Sequence, residues 1–231
     1  MPKPMAEESE HLRKLYASRF EDMHEARGPL WEVLTKRFFQ RYVPEDATVL
    51  EVAAGYCEFI NAVQARRRIA IDLNPDLPNR AAAGVEPVLS SATDMSMIDD
   101  ETADVVFVSN FFEHLTKPDI ISTLLEIGRV LKPTGKLLIL QPNIQFCGKQ
   151  YWMFFDHITP LDHHSLSEAL NLTGFTVQEC IPRFLPFTTK SRLPSWPWLV
   201  RTYLFLRPAW RVFGKMSFVV AVSETPRSTR S

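Results

Sequence analysis

A chain of 231 residues with 45% hydrophobic content and 17 prolines suits one α/β domain or two small ones, with a core that needs neither disulfide nor metal. Its net charge of −1 excludes whole-chain electrostatic attraction to nucleic acid. Cys57, Cys147 and Cys180 lie far apart with no C-x-x-C spacing, which favours a reducing compartment and no structural zinc. The polar N-terminus has no apolar core of signal-peptide length, and no apolar run reaches the roughly 18 residues of a membrane span. The expected location is the cytoplasm.

Residues 1–10 are expected to be mobile. Glu10 to Tyr42 reads as helical with a break near Gly28-Pro29, and Leu30, Leu34, Phe38 and Phe39 form a stripe at helical spacing. Val49–Ala53 is a first strand, followed by a helix through Ile60–Val63. Ile69–Asp72 is a second strand. Val85–Leu89 is a short third one, placed at an edge by Pro87. Asp104–Ser109 and Lys136–Gln141 are apolar runs of the kind buried on both faces. The helix between them has Pro118 in its first turn, Ile120, Leu124, Ile127 and Leu131 on one face, and Pro133-Thr-Gly135 as its stop. Ser165-Leu-Ser-Glu168 reads as a capping box opening a helix that closes at Gly174. Phe175–Ile181 and Ser217–Val222 are two final strands. This alternation predicts a doubly wound α/β sheet, as one domain over 1–223 with a mobile tail at 224–231.

The segment 182–215 stands apart. No acid occurs between Glu179 and Glu224, while Arg183, Lys190, Arg192, Arg201, Arg207, Arg211 and Lys215 interleave with Trp196, Trp198 and Trp210. It reads as an insertion: either a lid over an acceptor pocket with its aromatic side chains turned inward, or a peripheral contact with an anionic membrane. Pro186, Pro194, Pro197 and Pro208 argue against one long amphipathic helix.

The chemistry concentrates at strand tips. Thr48-Val-Leu-Glu51-Val-Ala53-Ala-Gly55-Tyr-Cys57 joins an apolar run to a tight turn, and Ile69-Ala-Ile-Asp72-Leu73-Asn-Pro75 ends a second run in a carboxylate. Such a unit suits a nucleoside, with backbone approaching the ligand and the carboxylate accepting from ribose hydroxyls. These residues resemble the class I S-adenosylmethionine-dependent methyltransferases of the methyltransferase-domain family. Glu51 to Cys57 matches its acid-x-Gly-x-Gly-x-Gly motif with Ala53 and Cys57 in place of glycines. Asp104-Val-Val-Phe-Val-Ser-Asn110-Phe-Phe-Glu-His114-Leu, Arg129-Val-Leu-Lys-Pro-Thr-Gly-Lys136 and Thr173-Gly-Phe175 match its later landmarks. The resemblance covers about residues 30–181. It implies a mostly parallel, seven-stranded sheet with helices on both faces and the last strand antiparallel. It also implies S-adenosyl-L-methionine as cofactor, held by Glu51, Ala53, Gly55, Asp72, Leu73, Ser91, Ala92 and Asn110, with Asp94 as an alternative to Ser91 for adenine.

The acceptor is expected to be a small molecule, a glycan or a lipid-linked compound, and not nucleic acid. Asn110-Phe-Phe-Glu lacks the Pro-Pro-aromatic pattern of base-flipping enzymes. Two further readings stay open: a degenerate methyltransferase-fold binding module, and a nicotinamide-dependent oxidoreductase, which Glu58 at a glycine position disfavours. Asp156, His157, Asp162, His163 and His164 offer metal-ligand chemistry, but no ligand motif accompanies them and no metal is expected. His157 is the candidate general base, since its ordinary pKa lies near neutrality. The alternative is that these histidines cap the Ser165 helix.

Overall fold

The computed structural model describes residues 24–187 and 196–223. The expected N-terminal mobility, the helix from Glu10 to Met23, Lys190, Arg192 and the C-terminal tail lie outside them. The strands form a seven-stranded sheet in the order β3-β2-β1-β4-β5-β7-β6. They are β1 (Thr48–Val52), β2 (Arg67–Asp72), β3 (Val85–Leu89), β4 (Ala103–Ser109), β5 (Leu131–Pro142), β6 (Phe175–Ile181) and β7 (Met216–Ser223). β7 runs antiparallel to both β5 and β6, as the resemblance implied. The chain divides into two compact units, residues 1–91 with 191–205, and residues 92–190 with 206–231.

In the first unit β1 is buried at every position and pairs in parallel with β2, Glu51 opposite Ala70. β2 pairs in parallel with β3, and β3 ends the sheet. There the missing N–H of Pro87 strands no ladder partner. The helix α1 (His24–Arg37) passes through Pro29 instead of breaking. Burial of Trp31, Leu34, Phe38 and Phe39, about 1.5–3 kcal/mol for each large side chain, outweighs the one hydrogen bond a proline removes. Leu30 is only half-buried. Short helices α2 (Glu58–Ala62) and α3 (Leu77–Arg80) follow β1 and β2.

In the second unit α4 (Lys117–Val130) starts at the Thr116 cap, buries Ile120, Leu124 and Ile127, and gives way to extended backbone at Leu131. The register of β4 with β5 jumps from Ala103–Leu131 to Val105–Lys136, so Lys132–Gly135 is an irregularity inside a longer strand than expected. The Arg129 guanidinium clamps the loop before β4, donating to the carbonyls of Met95 and Ile98, each at 2.8 Å, and pairing with Asp100 and Glu126. After β5 come α5 (Ile144–Cys147), a 3-10 segment Gly148–Met153, and α6 (His163–Leu172).

The α6 start corrects the expected capping box by one turn. Asp162 is the N-cap; its Oδ1 accepts from the His164 and Ser165 amides, and Ser165 Oγ accepts from the Asp162 amide at 2.9 Å. Aspartate three residues upstream satisfies two first-turn amides with its Oδ1, so Ser165 becomes the third helical residue. Burial works against the Asp162 carboxylate, but its bonds to Ser165, His164 and Gln145 outweigh this and hold its pKa below the ordinary range. Asp162→Ala is therefore expected to cost about 1 kcal/mol. The cap's contribution is present above the unfolded aspartate pKa and is lost as pH falls through the folded value; chemical denaturation at neutral and acid pH checks both statements.

Among its described residues, the basic aromatic segment has no single long helix, as its prolines implied. It forms two helices, α7 (Pro197–Phe205) in the first unit and α8 (Arg207–Phe213) in the second. Pro197 and Pro208 sit in their first turns, where a missing N–H costs little. α7 fully buries none of its residues; Trp198 and Phe205 are exposed and Tyr203 is half-buried.

Candidate functional site

In the first unit the β1 turn has an unusual backbone. Ala53, Gly55 and Cys57 have φ of 56°, 54° and 60°. The left-handed region recurs at alternate residues, at the three positions where the motif carries glycine. That conformation costs a residue bearing a Cβ roughly 1–2 kcal/mol, so the turn is held by its surroundings. The Ala54 amide donates to the Ile71 carbonyl and Cys57 N to Ala54 O. Cys57 is fully buried. Burial first, then the Glu51 and Asp72 charges, push its thiol up to about 12, which makes it a packing residue and not a nucleophile.

Two carboxylates flank this turn. Asp72, at the tip of β2, accepts from Gly55 N at 2.7 Å through Oδ2 and from Asn74 N at 2.8 Å through Oδ1. Glu51 accepts from Ile60 N at 3.0 Å. Both are buried, at 6% and 5% exposure. Burial raises both pKa values. The Glu51 value goes well above the ordinary range despite the Ile60 bond, and its charged neighbours Glu58 and Asp72 raise it further. For Asp72, backbone hydrogen bonds and Arg80 offset part of the rise. The turn therefore gathers two buried acids whose charged forms burial disfavours. Leu73 is half-buried beside Asp72, and Ser91 is half-buried beyond β3.

In the second unit Ala92 is buried, while Asp94 is exposed and accepts from Ser96 N. Asn110 follows β4 with φ 49°, a conformation asparagine tolerates. Its amide donates to Leu140 O and its side chain to Ser109 Oγ.

The loops after β4 and β5 are stitched together here. Glu113 O accepts from Ile158 N at 2.9 Å and from Thr159 N at 3.2 Å. Thr159 Oγ1 donates to Leu115 O, and Tyr151 Oη to Thr159 O. This brings together Glu113, His114 and His157, whose ligand-type atoms lie within 4.8 Å of one another. His114 Nδ1 is 3.1 Å from Asp156 Oδ2, and its Nε2 is 4.0 Å from Glu113 Oε1. Burial opposes the His114 imidazolium, but Asp156 and Glu113 outweigh it and raise its pKa. Burial raises that of Glu113. His157 is 7% exposed, with its ring against His114, Tyr151 and Phe154 at 5.0, 4.7 and 4.8 Å.

The histidines thus divide differently from their order in sequence. His163 and His164 occupy the first turn of α6, which Asp162 caps, and with Asp162 they stay out of the cluster. Glu113 and His114 replace them. The one signal for these two was a Glu-His pair directly after an apolar strand.

Residues 50–139 match the family model described as "Methyltransferase domain". No curated protein sequence matches the chain. Among solved structures, the chain resembles the methyltransferase bound to the Haloferax volcanii Trm112 methyltransferase activator, at 20% identity, TM-score 0.65, and 93% and 97% coverage of the two chains. It resembles a SAM-dependent methyltransferase from Archaeoglobus fulgidus at 18% identity, TM-score 0.65, and 88% and 99% coverage. It resembles another from Thermotoga maritima at 14% identity, TM-score 0.68, and 92% and 99% coverage. With its motif-bearing turn, its strand order and its match to the methyltransferase-domain model over 50–139, the chain has the class I methyltransferase fold.

Proposed function

We propose that the chain methylates a lipid-linked acceptor that it meets at an anionic membrane surface. The observation that carries this reading is the bare apolar loop after β5. Trp152, Met153 and Ile158 are more than half exposed, and Phe155 is 98% exposed. Large apolar side chains grouped in this way mark an interaction surface. In the same unit Lys215 Nζ donates to Gln150 Oε1, tying this loop to the end of α8, which bares Val212, Phe213, Arg207 and Arg211. Aromatic and basic side chains together suit the headgroup region, where each cation adds about 1 kcal/mol. In the first unit, α7 and the residue before it bare Trp196, Trp198, Phe205 and Arg201. Among the described residues no helix is long and apolar enough to cross a membrane, so the contact is peripheral.

S-adenosylmethionine supplies a methyl group already activated by its sulfonium. The buried acids fit a cationic cofactor, because a sulfonium or ammonium group offsets the charge that burial penalises in Glu51 and Asp72. The Asp72 carboxylate accepts from the Gly55, Asn74 and Leu73 amides and, with about four lone-pair sites, retains capacity for a ribose hydroxyl. In this reading the Ala53–Cys57 backbone, Leu73 and Ser91 shape the remainder of the cofactor site within the first unit. His157 belongs to the acceptor side through the cluster it shares with Glu113 and His114.

Flotation with vesicles of phosphatidylcholine and phosphatidylglycerol tests the membrane reading. The chain is expected to co-float at low salt and less at physiological salt. Trp152→Ser with Phe155→Ser removes flotation at both while leaving the melting temperature within a few degrees. Absence of the wild-type chain from the vesicle fraction at either salt contradicts the reading.

A further inference from the structure

We propose that Glu113, His114 and His157 form a binding site for a divalent first-row transition ion, of the Zn2+ type. Each offers one ligand atom, and the three lie within 4.8 Å of one another. One carboxylate with two imidazoles is a donor set that such ions take while keeping positions open for other ligands. Tetrahedral ligands at roughly 2.1 Å from one ion lie about 3.4 Å apart, so binding draws the side chains inward from separations of up to 4.8 Å.

Two further observations favour an ion. Glu113 is 1% exposed, and its Oε2 has no hydrogen-bond partner among the described residues. A buried carboxylate oxygen left in that state costs free energy that coordination would recover. The second is the Asp156 carboxylate, 3.1 Å from His114 Nδ1. Nδ1–H donating to a carboxylate leaves Nε2 as the ring's lone-pair nitrogen, which is the arrangement that orients metal-ligating histidines. That Nε2 is the atom 4.0 Å from Glu113 Oε1. The cluster is also built on a frame that fixes it, since the Glu113 carbonyl itself holds the Ile158 and Thr159 amides beside His157.

The open positions of the ion suit oxygen ligands, such as neighbouring hydroxyls or a carboxylate of an acceptor. That role rests on the methyltransferase reading; the binding itself does not, and it is measured without cofactor, lipid or acceptor. The tag-free full chain, stripped by chelation, is titrated with Zn2+ by calorimetry and with Co2+ by visible absorption. Saturable, stoichiometric binding and a Co2+ ligand-field band are expected. Glu113→Gln and His157→Asn each weaken binding at least tenfold, as does His114→Asn, which changes a less buried side chain and guards against loss of fold in the other two. The double variant His163→Asn with His164→Asn binds as the wild type does. Non-saturable binding, or binding lost in the His163/His164 variant and kept in Glu113→Gln, overturns the site.

Discussion

Replacing Asp72 by alanine is expected to damage both the fold and cofactor binding. The Asp72 carboxylate holds the Gly55 and Asn74 amides in a buried turn. Alanine strands both donors at about 1–3 kcal/mol apiece, and a loss near 3 kcal/mol lowers the melting temperature of a chain this size by about 6–12 °C. The same variant loses the acceptor proposed for the ribose hydroxyls, so cofactor affinity falls by about 1–3 kcal/mol. Asp72→Asn keeps one side-chain acceptor oxygen and separates the two effects: a smaller loss of stability with a similar loss of affinity. Thermal melts of the apo protein and calorimetric titration with S-adenosylmethionine measure them independently.

Glu51→Gln is expected to act in opposite directions on stability and binding. Burial raises the folded pKa of Glu51, and the acids Glu58 and Asp72 raise it further. A carboxyl whose folded pKa exceeds its unfolded one contributes stability that is complete below the unfolded pKa and is lost as pH rises through the folded value. Glutamine keeps an oxygen for the Ile60 amide and carries no charge. The variant's melting temperature should therefore exceed that of the wild type at pH 8, and the gap should shrink at pH 5. Its affinity for S-adenosylmethionine should drop about tenfold, or ~1.4 kcal/mol. Its affinity for the neutral thioether S-adenosylhomocysteine should drop less, because that ligand lacks the sulfonium charge proposed to offset Glu51. A site that retains buried charge for its ligand is less stable without it.

The parts of this molecule legible from sequence were those set by local rules. The β1 turn announced itself because its alternate left-handed residues favour glycine, and Gly55 with Ala53 and Cys57 retains enough of that pattern to be read. Pro87 placed β3 at the edge because a proline cannot donate to a second neighbour.

What escaped depended on competition or on distance. Ser165 read as an N-cap until Asp162 outcompeted it. Pro197 and Pro208 argued against one long helix, and two short helices begin at them; that these short helices form at all was not legible. The acidic histidine cluster joins residues 113–114 to residue 157 through carbonyl bonds between two loops, and no periodicity along the chain encodes such a meeting. The nearest histidines in sequence, His163 and His164, went instead to a helix start.

The central claim is that the Glu51–Asp72 turn is a working S-adenosylmethionine site. Calorimetric titration of the full-length chain with S-adenosylmethionine, beside Asp72→Asn and Glu51→Gln, tests it most directly. Saturable, stoichiometric binding to the wild type is expected, with affinity at least fivefold weaker in each variant. Absence of binding to the folded wild-type chain, or equal affinity in all three proteins, would contradict it.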